Sequence, residues 1–110
     1  MCNPWLDRLS LATLQFRLVV KSFRSKGLAE LYNHGKTTKI RADLIPRVQR
    51  RLNALRDASA LADLNVPGFD FHRLRGRPQR YNIHVNGPWC IVFEWTATAE
   101  AVRVDLVQYH

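Results

Sequence analysis

Tyr81-Asn82-Ile83-His84-Val85-Asn86-Gly87-Pro88-Trp89-Cys90-Ile91-Val92-Phe93-Glu94-Trp95 is the stretch whose reading decides the fold. Tyr81, Ile83 and Val85 alternate with Asn82 and His84. Trp89, Ile91, Phe93 and Trp95 alternate again, and a period of two marks a strand with one buried face. Asn86-Gly87 between them is a strong hairpin signal. Two registers are open. A two-residue turn sets Tyr81, Ile83 and Val85 on the face of Cys90 and Val92. One extra loop residue, in keeping with Pro88, matches them to Trp89, Ile91 and Phe93. The second is preferred because it lays apolar on apolar. Further on, Val102, Val104 and Leu106 alternate in a last strand that runs toward the C-terminus.

Upstream of the hairpin the apolar period lengthens. Leu44, Val48, Leu52 and Leu55 recur at helical spacing, with Asp43 as a cap and Pro46 in the first turn, where proline is tolerated. Ala60–Leu64 adds one helical turn, and Pro67-Gly68 closes the helical half. An earlier helix runs from an N-cap at Ser25 to a stop at Gly35 and carries Leu28, Leu31 and Tyr32 inward. Leu18-Val19-Val20 begins a first strand that ends near Phe23. Residues 1–18 read as an N-terminal extension, either a mis-called start or dispensable, in which Asn3-Pro4 starts a short helix with Trp5, Leu9, Ala12 and Phe16 on one stripe. Strand, two helices, then three or four antiparallel strands make residues 19–110 one α+β domain, a single sheet with helices on one face.

The chain has 110 residues, 46% hydrophobic and 24% charged, enough for one core. No apolar run is long enough to span a bilayer. Asp7, Arg8 and Arg17 interrupt the N-terminal stretch, which leaves no signal-peptide core and points to the cytoplasm. The formal net charge of +8 favours a polyanionic partner, nucleic acid first. Cys2 and Cys90 have no metal-ligand spacing. His34, His72, His84 and His110 form no cluster, so neither a metal site nor a cofactor is expected.

Two basic groups stand out. Arg47, Arg50 and Arg51 share an arc beside the apolar stripe of the second helix, where a solvated charged face is the plainer reading. His72-Arg73-Leu74-Arg75-Gly76-Arg77, followed by Arg80, forms the other. Arginine meets phosphate oxygens in a planar fork, so both groups suit an RNA backbone. Metal-free RNA cleavage needs a base for the ribose 2′-hydroxyl, an acid for the leaving oxygen and a cation for the phosphorane. Histidine serves as base or acid near neutrality, and arginine supplies the cation. His72, Arg75 and His110 have the right types, and a Tyr109 ring can stack on a base. A lone histidine is more often a surface residue, which is the reading for His34 and His84.

From Val19 onward the sequence resembles the HigB toxins, plasmid-maintenance killers of the RelE/ParE superfamily. The resemblance rests on Val20-Lys21-Ser22-Phe23 with Gly27-Leu28 and Leu31, on Arg51-Leu52, Leu55, Ala58 and Asp63-Leu64, and on His72-Arg73-Leu74-Arg75-Gly76. It continues in Tyr81-Asn82-Ile83, Val85-Asn86, Trp89 and Phe93, and in the terminal Tyr109-His110. It implies a RelE-like fold and a ribosome-dependent endoribonuclease that cuts messenger RNA, neutralised by a helix-turn-helix antitoxin. It also implies that His72, Arg75, Tyr109 and His110 are the catalytic residues; Arg47, Arg50, Arg51, Arg73, Arg77 and Arg80 are the RNA contacts that the two basic groups themselves suggest. Three positions depart from the pattern. Gln108 replaces an acidic residue, Cys90 replaces an arginine, and Arg75 stands for lysine. ParE relatives of similar fold bind DNA gyrase without nuclease chemistry, and a catalytically inactive antitoxin-binding homologue is a further alternative.

Overall fold

The computed structural model describes residues 20–109. The expected N-terminal helix, Leu18 and Val19 of the first strand, and His110 lie outside the described residues. Two helices, α1 (Lys26–His34) and α2 (Ile45–Asp57), precede four strands: β1 (His72–Arg73), β2 (Tyr81–Asn86), β3 (Trp89–Trp95) and β4 (Ala101–Gln108). The strands form one antiparallel sheet in the order β1-β2-β3-β4.

α1 begins and ends as its sequence dictates. The Ser25 hydroxyl accepts from the Leu28 N–H at 3.2 Å. Gly35 closes the helix at φ 77°, and its N–H donates to the Leu31 carbonyl. Gly27 is needed for a different reason. A Cβ there would stand 2.9 Å from Ile40 Cγ1 and 3.2 Å from Lys39 Cβ, so the absent side chain lets the following segment lie against the helix. At α2, Pro46 sits in the first turn as expected, but Asp43 does not cap. It belongs to a 3-10 turn, Ala42–Leu44, that leads into the helix. Its carboxylate instead takes both arms of the Arg41 guanidinium, at 3.0 and 2.6 Å. A fork two residues away outcompetes a neutral N–H for the same oxygens. The turn after α2 is 3-10, Leu61–Leu64.

One face of the sheet makes the core with both helices. Leu28, Leu31, Leu44, Val48, Leu52 and Leu55 are buried against Ile83, Val85, Ile91, Phe93, Ala101 and Val104. Phe93 is fully buried and packs against Tyr81 and Trp95, with ring centroids 5.8 and 6.4 Å away.

The hairpin takes the apolar-on-apolar register, Tyr81 opposite Phe93 and Ile83 opposite Ile91. The extra residue is absorbed as a bulge between His84 and Asn86, so that Asn86, not Val85, lies opposite Trp89. A second bulge changes the reading of β4. Val102 lies opposite Glu94, but Asp105 lies opposite Val92, and Arg103 between them has φ 51°. The added residue shifts the alternation by one. Ala101 and Val104 are therefore the fully buried pair, and Val102 belongs to the other face.

The expected first strand reduces, among the described residues, to one parallel bridge between Phe23 and Val104. Lys21 N–H donates to the Ala101 carbonyl and Arg24 N–H to the Val104 carbonyl, both at 2.9 Å. The ladder stops there because Val20 N–H turns to the Tyr32 hydroxyl and the Ser22 hydroxyl takes the Arg103 N–H at the bulge. Among the described residues no helix is long and apolar enough to cross a membrane.

Candidate active site

The sheet face away from the helices is set by register. Asn82 lies on it because Ile83 faces the core. His72, directly opposite Asn82 on the edge strand, shares that face, as do Val92 and Asp105 in the same cross-sheet row. Tyr109 continues β4 by one residue, its N–H donating to the Pro88 carbonyl at 2.8 Å. By the alternation Asp105, Val107, Tyr109 it falls on the same face, and the residue is 47% exposed. The fold therefore brings His72 and Tyr109 to one surface, but on opposite edge strands. Three strand spacings, roughly 14 Å, separate those edges.

His72 is exposed, and one ring nitrogen is committed. Nδ1 lies 2.9 Å from the Asp70 carbonyl oxygen. A carbonyl only accepts, so Nδ1 carries the proton, and Nε2 holds the lone pair of the neutral ring. Nε2 is thus the nitrogen that can take or give a substrate proton. Asp70 holds a left-handed backbone, φ 46°. Opposite His72, Asn82 is buried, and its side-chain Oδ1 has no hydrogen-bond partner among the described residues.

Arg75 follows β1 in a loop whose neck is closed. Leu74 N–H donates to the Arg80 carbonyl at 2.9 Å, and Gln79 Nε2 donates to the Leu74 and Arg80 carbonyls at 2.8 and 3.0 Å. This clamp presents Arg75 and Arg77 to solvent. Among the described residues Arg73, Arg75, Arg77 and Arg80 make no ion pair, and Arg73 lies 6.0 Å over the Tyr81 ring. Exposed cations in the loop that follows His72, without ion pairs among the described residues, are available to an incoming phosphate.

The helical arc divides. Arg47 and Arg50 are exposed, on the helix that covers the other side of the sheet. Arg51 is 7% exposed and is withdrawn from the surface group. Its guanidinium donates to the His84, Arg47 and Gly68 carbonyls and lies 4.7 Å over the Phe69 ring. A helical wheel gives direction but not reach, and this side chain reaches the edge of β2.

His84 is likewise occupied. Its Nε2 donates to the Gly87 carbonyl at 3.0 Å and braces the hairpin turn. Of the departing residues, Cys90 is buried on the His72 face between His84 and Val107, and Gln108 lies opposite Trp89, on the other face from Tyr109. The sequence alone did not single out Arg24, Glu94, Arg103 or Asp105, which the fold gathers beside Arg80. Their one sequence signal is polar residues alternating with valine in β4.

Residues 21–110 match the family described as the RelE-like toxin of the type II toxin-antitoxin system HigB. The chain is also 31% identical over 93 residues to the endoribonuclease HigB of Proteus vulgaris, covering 84% of this chain and all of that protein.

Proposed function

Since this chain belongs to the HigB family of RelE-like toxins in type II toxin-antitoxin systems, we propose that it is a cytoplasmic endoribonuclease that cuts messenger RNA held in the ribosome. Its chemistry runs through His72 Nε2. The observation that carries the reading is the Asp70 carbonyl on His72 Nδ1, which leaves Nε2 as the proton-transfer atom on an exposed residue, followed in the chain by a loop whose arginines make no ion pair among the described residues.

Nε2 takes the proton of the ribose 2′-hydroxyl, whose oxygen then attacks the adjacent phosphorus in line. Arg75 neutralises the charge that grows on the phosphoryl oxygens. The leaving 5′-oxygen takes a proton, a role the reading gives to His110, and Tyr109 stacks on a base. Protein residues alone supply the acid and base, so the reading calls for no metal or cofactor. Arg73, Arg77 and Arg80 hold the flanking strand, and Arg47 and Arg50 face ribosomal RNA. Residues 1–18 lie outside the toxin domain in this reading. A type II toxin pairs with an antitoxin, and we read the partner as a helix-turn-helix protein.

The span between His72 and Tyr109 explains why the ribosome is needed. Groups on two edges of a sheet act together only on a strand held across it, and effective concentration gained by positioning is a large share of such catalysis. The test is to map mRNA ends on programmed ribosomes and on free RNA. Expected are cuts on ribosomes, little cleavage of free RNA, and a fall of about 10²–10⁴-fold on His72→Ala with the melting temperature kept. Equal cutting of free RNA, or wild-type cleavage by a folded His72→Ala protein, refutes the reading. Gyrase inhibition without mRNA cuts assigns the chain to the ParE kind of activity.

A further inference from the structure

On the face that carries His72, Arg24, Arg80, Glu94, Arg103 and Asp105 line a small cleft around Val92. They come from four places in the chain. Arg24 enters from the segment hydrogen-bonded to β4, and Arg80 stands at the start of β2. Glu94 belongs to β3, and Arg103 and Asp105 flank the β4 bulge. Asp105 ends the cross-sheet row His72, Asn82, Val92, Asp105.

The pattern of charge is the informative part. Arg24 and Arg80 are exposed and make no ion pair among the described residues. Arg103 approaches Glu94 only to 3.8 Å, with its side chain 65% exposed. Asp105 is half-buried and makes neither an ion pair nor a side-chain hydrogen bond among the described residues. A surface that only gripped phosphates would be weakened by these carboxylates, since like charges repel. Beside arginines, a free carboxylate can accept from the exocyclic amine of a nucleobase, as acidic side chains do with cytosine. Uracil offers only carbonyl oxygens at the corresponding positions.

We infer that this cleft is a nucleotide subsite for the RNA strand. Arg24 and Arg80 take phosphate oxygens, and Asp105 accepts from the base amine, so that uridine is disfavoured there. The inference rests on the nuclease reading above and adds to it a residue that selects sequence. Asp105 stands roughly 14 Å from His72 across the sheet, so the base it reads is a near neighbour of the cleaved bond rather than part of it.

Three full-length variants test this, each checked by thermal melt: Asp105→Asn, Arg24→Ala and His72→Ala. Asp105→Ala replaces Asp105→Asn if the latter does not fold. Mapped mRNA ends on programmed ribosomes should show uridine at the subsite accepted roughly tenfold more often, relative to other bases, in the Asp105 variant. Binding of a fully 2′-O-methylated RNA decamer, followed by anisotropy across a salt series, should lose about one in the slope of log Kd on log salt for Arg24→Ala. Unchanged base preference together with an unchanged slope overturns the subsite, even where His72→Ala silences cleavage. A His72→Ala protein that still cleaves overturns the assignment of the chemistry to His72 and leaves the base-preference and binding results standing. Loss of antitoxin binding with both RNA readouts unchanged makes the cleft a protein-docking surface and overturns the subsite too.

Discussion

Arg51 Nε donates to the carbonyl of His84 at 2.9 Å, which ties α2 to the edge of β2 through a cation. Burial, then the positive charges of Arg50 and Arg47, lowers its pKa from the ordinary arginine value. Arg51→Met removes donors from three backbone carbonyls and is expected to cost about 3 kcal/mol. Arg47→Glu with Arg50→Glu should change stability by no more than about 0.5 kcal/mol per site while weakening ribosome binding and flattening its salt dependence. Urea denaturation and a ribosome-pelleting assay separate the two roles. A methionine variant as stable as wild type would remove the structural assignment.

Gly27→Ala carries two opposed effects. Alanine is the better helix former by about 1 kcal/mol, yet its Cβ would meet Ile40 Cγ1 at 2.9 Å. Overpacking of a buried contact costs about 1–3 kcal/mol, so net destabilisation is expected. Ile40→Ala costs stability of its own, but adding Gly27→Ala to it should be neutral or stabilising. A double-mutant cycle measures this, and additivity of the two substitutions would show that the contact does not limit packing.

Asp63 gives the fold an acid-sensitive turn. Its Oδ2 accepts the Ser59 and Ala60 N–H groups at 3.0 and 3.1 Å and the Ser59 hydroxyl at 3.1 Å, which together hold its pKa below the usual aspartate value. A carboxyl whose pKa is lower folded than unfolded stabilises fully above the unfolded value. That contribution fades as pH falls through the folded one. The melting temperature of wild type should exceed that of Asp63→Asn at neutral pH, with the gap closing below about pH 4. A constant gap across the acid range would contradict it.

Tyr109 is half exposed at the end of β4. Tyr109→Phe keeps a ring that stacks and should retain most cleavage on ribosomes. Tyr109→Ala should lose about 1–3 kcal/mol of base stacking, roughly 5- to 150-fold. Equal losses would place the function in the hydroxyl.

Where a residue's fate depended on its own element, the sequence showed it. Leu28 and Leu31, then Val48, Leu52 and Leu55, are buried on the stripes their spacing draws, and Ile83 meets Ile91 because apolar pairing left one workable register. What escaped depended on single insertions or on reach. The bulge at Arg103 adds one residue with no glycine to mark it, yet it decides that Val102 and Val104 face opposite ways. Asp43 has the type and position of a cap, but Arg41 two residues earlier competes for its oxygens and takes them. In the candidate site, His72 and its arginine loop were legible because one short segment carries them. The meeting of Arg24 with Arg103 and Asp105 depends on a parallel bridge between segments about eighty residues apart, which no local pattern announces.

β1 is two residues long and is held to the sheet by His72 opposite Asn82 and Arg73 opposite Tyr81. The segment that carries the imidazole proposed for catalysis is thus among the least cooperative parts of a domain whose core lies elsewhere, and such segments open at a fraction of the global unfolding free energy. Inactivation on warming should accordingly run ahead of melting: the amides of residues 72–74 exchange with solvent while those of Ile91 and Phe93 stay protected, and cleavage fades at temperatures where circular dichroism still reports an intact fold. A toxin built this way can be disarmed by prising off one short ribbon, without the rest of the molecule coming apart.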